Sequence, residues 1–524
     1  MDAAETKTAT VSGKGNGLSG VPRVPFGVRG LDEILYGGLP AGHTYLLEGT
    51  PGAGKTTVAL QFVLTASHNG LKALYITLSE SRQELLAVAA SHGWELDQVP
   101  IFELGPQEDS LRPERQYSVF HPEDVELNQL TDLISRKTDE VQPNVVVIDS
   151  LSELRLLARD SFRYRRQILA LKNFFEERNC TVLLIDNQIS ERHEQPVHSL
   201  VHGVIFLEVL QREYGSERRR LRVQKIRGST FREGFHDYRI VTGGLVVHPR
   251  LVAAEYRQGE HRELLKTGIA EMDSMLKGGI QRGTSTLLLG AAGVGKSSLS
   301  SRFVCTALER GESAAVYIFD ETAQVYLDRS AGIGVDLRPF VDSGKLHLHQ
   351  VDPAEIPPGE FVNGIRDRVA EGASVVVIDS LNGWLKAMPG EHYLELQMHE
   401  LLTYLGMRGV ATFLILAQQG VMGPMQTKVD VSYLADAIIL LRYFEARGEI
   451  RKAISIFKKR SGAHESTIRE LHMHPGGIVI GEPLKAFQGV LTGVPHYIAT
   501  ENSKLMTHIA TENSKLMTPN AEQT

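Results

Sequence analysis

The sequence predicts an α/β fold built twice in tandem, each copy a mostly parallel sheet covered by helices on both faces. Three observations predict it. At 524 residues the chain exceeds one ordinary domain of roughly 150 residues. It repeats itself: residues 27–57 align without a gap onto residues 268–298, at an offset of 241, with 12 of 31 positions identical where chance gives roughly two. Each copy also carries short apolar runs separated by helical stretches, the pattern of strands buried on both faces.

The elements follow one grammar in both copies. A Gly-Gly turn (Gly37-Gly38, Gly278-Gly279) precedes a strand at 44–48 and at 285–289. A Gly-rich loop and a helix follow. Next come a strand (73–78, 314–319), a helix, an apolar strand ending in Asp (145–149, 375–379) and a further strand (181–185, 412–416). The last part changes style, with strands at 221–226 and 453–457 and hairpin-like pieces around Gly243-Gly244 and Gly476-Gly477. A polar, charged linker is expected near 254–262. The reading is a disordered tail over 1–22, a first domain over 23–255, a second over 256–490 and a C-terminal tail over 491–524. That tail holds IATENSKLMT twice, at 498–507 and 509–518. The first copy is longer between its loop and its apolar Asp strand. The surplus falls in the Pro-rich, charged stretch 106–126, read as a surface loop or a partner-binding insert.

Composition narrows the class. Apolar residues at 42% and charged residues at 23% are ordinary for a globular protein and exclude a wholly disordered or collagen-like chain. The balance of 56 basic against 63 acidic residues, net −7, speaks against a dedicated nucleic-acid binder. Cys180 and Cys305 cannot build a disulfide framework and lack metal-ligand spacing, which fits a reducing, cytoplasmic setting. No apolar run is long enough to cross a membrane, and the first twenty residues lack a signal-peptide core.

The strongest chemical signal is a doubled phosphate loop. Gly49-Thr50-Pro51-Gly52-Ala53-Gly54-Lys55-Thr56 and Gly290-Ala291-Ala292-Gly293-Val294-Gly295-Lys296-Ser297 both match G-x-x-x-x-G-K-[ST] between a strand and a helix. The glycines let successive N–H groups point inward at an anion, and the helix N-terminus adds its dipole. Lys55 and Lys296 would reach the β- and γ-phosphates. Thr56 and Ser297 would offer hydroxyls to Mg2+, with Thr57 and Ser298 next on the helix. Asp149 and Asp379, at the ends of their apolar strands, stand at the sheet edge where ligands of parallel sheets bind, and can hold the hydration shell of Mg2+. Hydrolysis also needs a proton acceptor. Asp320 and Glu321 end the strand after the loop helix, with Asp320 also a candidate Mg2+ ligand. In the first copy Ser79 and Glu80 stand there, so one carboxylate is missing and unequal activity is expected. Lys225, Arg227, Lys458 and Arg460 close late strands in matching places and could serve a neighbouring subunit's γ-phosphate.

Together these features resemble the KaiC family, the double-domain RecA-type ATPases of circadian clocks and their non-clock relatives. The resemblance rests on the paired loops, GLDEILYGGLP and MDSMLKGGI before them, IDS twice, KIRG, KKRSG and the ending GVLTGVPHY, and runs from about Pro25 to Tyr497. It implies two RecA-like P-loop NTPase domains, ATP and Mg2+ as cofactors, and a homohexamer of two stacked rings with nucleotide at subunit interfaces. It also implies an N-terminal ATPase ring and a C-terminal ring that phosphorylates and dephosphorylates a Ser-Thr pair. Regulatory protein partners, of unknown identity, are a separate expectation. Lys225, Arg227, Lys458 and Arg460 match the family's trans-acting cations, and Ser91 matches a nucleotide-contacting serine. Asp320 stands where the family's general base is Glu. Ser432 is retained in the phospho-segment, but Tyr433 replaces the threonine, so a two-site cycle is not expected, and Ser432 is either a single autophosphorylation site or a loop hydroxyl bonding nearby backbone. Two other functions stay open at this stage: an ATP-switched signalling scaffold with little hydrolysis, and a RecA-like DNA-dependent motor.

Overall fold

Alternation of apolar side chains along the central strands explains why helices cover both faces. In the strand Thr44–Gly49 (β1), Leu47 packs with Val58 and Phe62 on one side, while Leu46 packs with Ile168 and Leu171 on the other. The helix Lys55–His68 (α1) supplies the first pair and the helix Ser161–Glu177 the second. Each such buried leucine contributes about 1.5–3 kcal/mol by leaving water. The coordinates are a computed structural model, which describes residues 21–104, 122–158, 160–187, 196–212, 214–256, 263–386, 393–418, 433–492 and 496–497. The tail up to residue 20, most of the 106–126 stretch, linker residues 257–262, Ser432 and the tandem repeat lie outside the described residues.

The described residues fall into two compact units, one made of those up to Arg250 together with Pro357–Glu360, the other of Leu251–Ile356 and those from Phe361 on. The first holds β1, Ala73–Thr77 (β2), Ile101–Glu103 (β3), Val145–Asp149 (β4), Thr181–Asn187 (β5), Gly203–Leu210 (β6), Arg218–Ile226 (β7), His236–Val241 (β8) and Gly244–His248 (β9). Their order in the sheet is β9-β8-β7-β6-β1-β5-β4-β2-β3. From β6 to β3 every neighbour is parallel, and β6, β7, β8 and β9 pair antiparallel in succession. The second unit repeats this with Ser285–Gly290 (β10), Ser313–Ile318 (β11), Leu346–Gln350 (β12), Ala373–Asp379 (β13), Ala411–Ala417 (β14), Ala437–Ala446 (β15), Glu449–Lys459 (β16), Ile468–His474 (β17) and Gly477–Pro483 (β18). Their order, β18-β17-β16-β15-β10-β14-β13-β11-β12, matches the first sheet strand for strand. Both are tandem RecA-like α/β domains.

Sequence and structure differ in two instructive places. The runs forming β6 and β15 carry no strand assignment from sequence, because a short apolar run reads equally as a buried helix segment. Pairing of Gly203 with Tyr45 and of Ala437 with Thr286 decides the matter, placing each strand beside the P-loop strand. The strand expected at 221–226 begins earlier, at Arg218. Its Arg-rich start looks like a loop, but Arg218 pairs with Asp237 and Arg220 with Glu208 on the adjacent strands, and such cross-strand pairs stabilise a sheet. The Gly-Gly turns behave as expected: a Cβ on Gly38 would sit 2.3 Å from the Val24 carbonyl oxygen, which leaves no room for a side chain. Among the described residues no helix is long and apolar enough to cross a membrane.

Candidate active sites

Each P-loop joins a central strand to a helix, so its geometry is set by the sheet beneath it. In the first copy Gly52 and Gly54 take φ of 76° and 87°, and Gly54 caps α1. The Lys55 ammonium turns back to donate to the carbonyls of Gly49 and Thr50, both at 3.1 Å. Thr50 is tied down by its own N–H on Leu207 O and its hydroxyl under Val209 N–H, so β6 fixes the start of the loop. Tyr238 on β8 donates to the carbonyl of the buried Ala53 at 2.6 Å and fixes its middle. In the second copy Gly293 and Gly295 take φ of 76° and 114°, Val294 is buried, and the Lys296 ammonium donates to Gly290 O at 3.0 Å and Ala291 O at 2.6 Å. Burial pushes both lysines down, Lys296 to about 8. An entering phosphate would restore the charge that burial disfavours.

In each copy the hydroxyl that follows the loop lysine lies beside the carboxylate at the end of the apolar strand. Thr56 donates to Asp149 at 3.2 Å and lies 3.4 Å from Glu80. The Ser297 hydroxyl lies beside Asp379 and works against the rise that burial imposes on its carboxyl. Burial raises Asp149 and, to about 6, Asp379. Burial also raises Glu80, with the nearby Asp149 charge adding to it. Among the described residues Asp379 Oδ2 and Glu80 Oε2 are buried without a hydrogen-bond partner. A hydroxyl with buried carboxylate oxygens, some unpartnered, is a hard-oxygen donor set that suits Mg2+. Thr56 with Asp149, and Ser297 with Asp379, fit that ion. The Asp320 carboxylate accepts from Ser380 Oγ, on the residue that follows Asp379.

Glu80 is held firmly. Thr77 Oγ1 donates to its carbonyl at 2.6 Å and accepts from its N–H at 3.0 Å. A capping box between Ser81 and Glu84 then starts the helix Arg82–Ser91 (α2). Ser79 is exposed beside it. Glu321 takes the matching position but is turned onto Arg329. Ser91 closes on its own helix, donating to Val88 O at 2.7 Å. Thr57 and Ser298 are buried on the loop helices.

The four late cations sit at the other end of the strands. Lys225 is level with Val204 on β6, whereas the P-loop edge is level with Leu207. That is three residues, about 10 Å along the strand, besides two strands of sideways displacement. Lys225 donates to the His198 carbonyl and Arg227 to Ser199 O at 2.6 Å. In the second copy Lys458 is level with Ile438 and donates to Ala435 O at 2.8 Å, while Arg460 donates to Tyr433 O at 2.9 Å and faces Asp436 at 3.5 Å. Ser432 lies outside the described residues.

Sequence reasoning missed three contributors. Tyr75 donates to Asp149 Oδ2 at 2.7 Å. Val316 occupies its place in the second copy, which explains why Asp379 Oδ2 stays bare. Glu48 Oε2 meets His198 Nε2 at 2.7 Å directly below the first loop. Arg329 is the third. Tyr75 and Glu48 sit inside strands that read as plain apolar runs, and Arg329 sits on a polar helix, so none of the three carries a motif; only the mismatch between copies flags them.

A family model described as a KaiC ATPase matches the chain twice, over residues 24–252 and 265–485. A circadian clock oscillator protein KaiC of Parasynechococcus marenigrum is 27% identical over 499 residues, covering 92% of this chain and 94% of the relative. The protein of the same description from Picosynechococcus sp. is 27% identical over 504 residues, covering 94% and 95%. That of Thermosynechococcus vestitus is 27% identical over 499 residues, covering 92% and 93%.

Proposed function

The chain belongs to the KaiC family of ATPases, and on that premise we propose that it is a Mg·ATP-driven homohexameric ring that hydrolyses ATP in both copies and phosphorylates Ser432 in the second. One observation carries the reading: each copy has a complete phosphate loop at one edge of its sheet and a pair of cations at the opposite edge, out of reach of its own loop. Such cations serve catalysis only if another subunit presents its loop to them. A closed ring of identical subunits supplies that arrangement at every interface.

The residues then divide the work of phosphoryl transfer. Loop amides with Lys55 or Lys296 hold the phosphates. Thr56 with Asp149, and Ser297 with Asp379, would hold Mg2+, which would supply positive charge against the charge developing on the phosphates. Glu80 in the first copy, and Asp320 in the second, takes the proton from the attacking water or serine hydroxyl as its oxygen bonds to the γ-phosphorus and the bond to ADP breaks. Lys225 and Arg227, or Lys458 and Arg460, stabilise that charge from the next subunit. The Arg460 bond to the Tyr433 carbonyl supports Ser432 as acceptor, because it ties the adjacent residue to the cation edge. A role in timing or signalling, regulatory partners and a cytoplasmic setting follow the clock-protein relatives; the free, buried Cys180 and Cys305 are in keeping with a reducing compartment. A second reading, a scaffold in which nucleotide mainly holds the first ring together, draws on Ser79 replacing an acid there.

Native mass spectrometry with and without Mg·ATP tests the proposal. A hexamer retaining two nucleotides per chain, with covalent phosphate that disappears in Ser432→Ala and in Lys296→Ala, is expected. Monomers without nucleotide would refute it.

A further inference from the structure

The two copies treat one carboxylate differently. In the first, Glu80 lies within reach of the Thr56 hydroxyl, and Val88 stands eight residues on. In the second, Glu321 holds the Glu80 position, and Arg329 stands where Val88 does. Arg329 grips Glu321 with both arms of its fork: Nη2 to Oε1 at 2.5 Å and Nε to Oε2 at 3.4 Å. The fork is itself braced. Nη1 of Arg329 donates to Ser298 Oγ at 3.3 Å, on the helix that carries Lys296 and Ser297, and the guanidinium stacks on the buried Tyr326 ring at 5.1 Å. A bidentate Arg–carboxylate pair fixes orientation as well as charge.

Resting on the reading of the second copy as an ATP site, we propose that Arg329 is a positioning residue acting as a brake: it holds Glu321 off the Ser297 hydroxyl and the nucleotide, leaving proton acceptance in the second copy to Asp320 alone. The first copy has Val88 and no such brake. The brake slows transfer to water at the second site, where a serine acceptor competes for the same γ-phosphate.

The test uses full-length protein and reads ATP turnover that depends on Lys296, taken as the difference from Lys296→Ala. Arg329→Val restores the first-copy arrangement and is expected to raise that turnover about tenfold, a modest share of what a general base supplies. Adding Glu321→Gln to Arg329→Val abolishes the gain, and Arg329→Lys, which keeps the pair, shows none. Arg329→Gln, which keeps volume and hydrogen-bonding groups, gives the same gain should the valine variant not fold. A merely structural role predicts loss, not gain. A second readout is calorimetric: the freed carboxylate beside Ser297 and Asp379 tightens Mg2+-dependent ADP binding severalfold, and Glu321→Gln reverses it. Folded Arg329 variants without a gain, or a gain that survives Glu321→Gln, overturn the brake. Turnover unaffected by Lys296→Ala overturns instead the site reading beneath it.

Discussion

Tyr238→Phe separates the two nucleotide sites by a single oxygen atom. The Tyr238 hydroxyl donates at 2.6 Å to the carbonyl of Ala53, which is fully buried between two glycines of positive φ. Phenylalanine keeps the ring and leaves no cavity worth a methyl group. It does leave the Ala53 carbonyl without its donor in a place water does not reach, which costs about 1–3 kcal/mol. The loop can recover that cost by opening when empty, so the binding-competent loop becomes the minor form and affinity falls in proportion. At tenfold per 1.4 kcal/mol the first site should weaken by roughly 5- to 140-fold. The second site should not change, because Leu471 holds the matching strand position there and has no hydroxyl. Fluorescent ADP titrations in Lys296→Ala and Lys55→Ala backgrounds read the two sites apart. First-site affinity within twofold of the parent in a folded variant, or equal weakening of both sites, would refute the reasoning.

Two further outcomes follow from the same geometry. Mixing Arg460→Ala subunits with Lys296→Ala subunits should yield more turnover than the mean of the two parents, since some interfaces regain an intact loop facing an intact cation; a mixture equal to the mean denies action across the interface. Acid should destabilise the first domain through His236, whose Nδ1 accepts from Arg250 N–H at 2.8 Å while Nε2 faces Arg232 O at 3.1 Å. Burial pushes this histidine down to about 4, so the folded state holds it neutral. The stability it contributes is complete above its unfolded pKa near 6.5 and is lost as pH falls from there toward 4. Melting temperature over that window, compared with His236→Gln, should show a shallower acid decline in the variant.

Local signals in the chain were enough for the duplication, the strand–loop–helix order, both phosphate loops and the Asp at the end of each apolar strand. Each depends on residues close in sequence: glycines that permit positive φ, an alternating strand before them, a helix start after them. Everything set by pairing across the sheet was beyond that reach. The strands β6 and β15 became strands only beside β1 and β10, and the Arg-rich start of β7 became a strand only against Glu208 and Asp237. Register put Lys225 and Lys458 at the far edge from their own loops. Folding also turned Glu321 onto Arg329, a partner eight residues on and in the last turn of the next helix, and gave Asp149 a tyrosine where Asp379 has a valine. Motifs report which groups a chain possesses; which carboxylate stays free is settled by the side chains that packing brings against it.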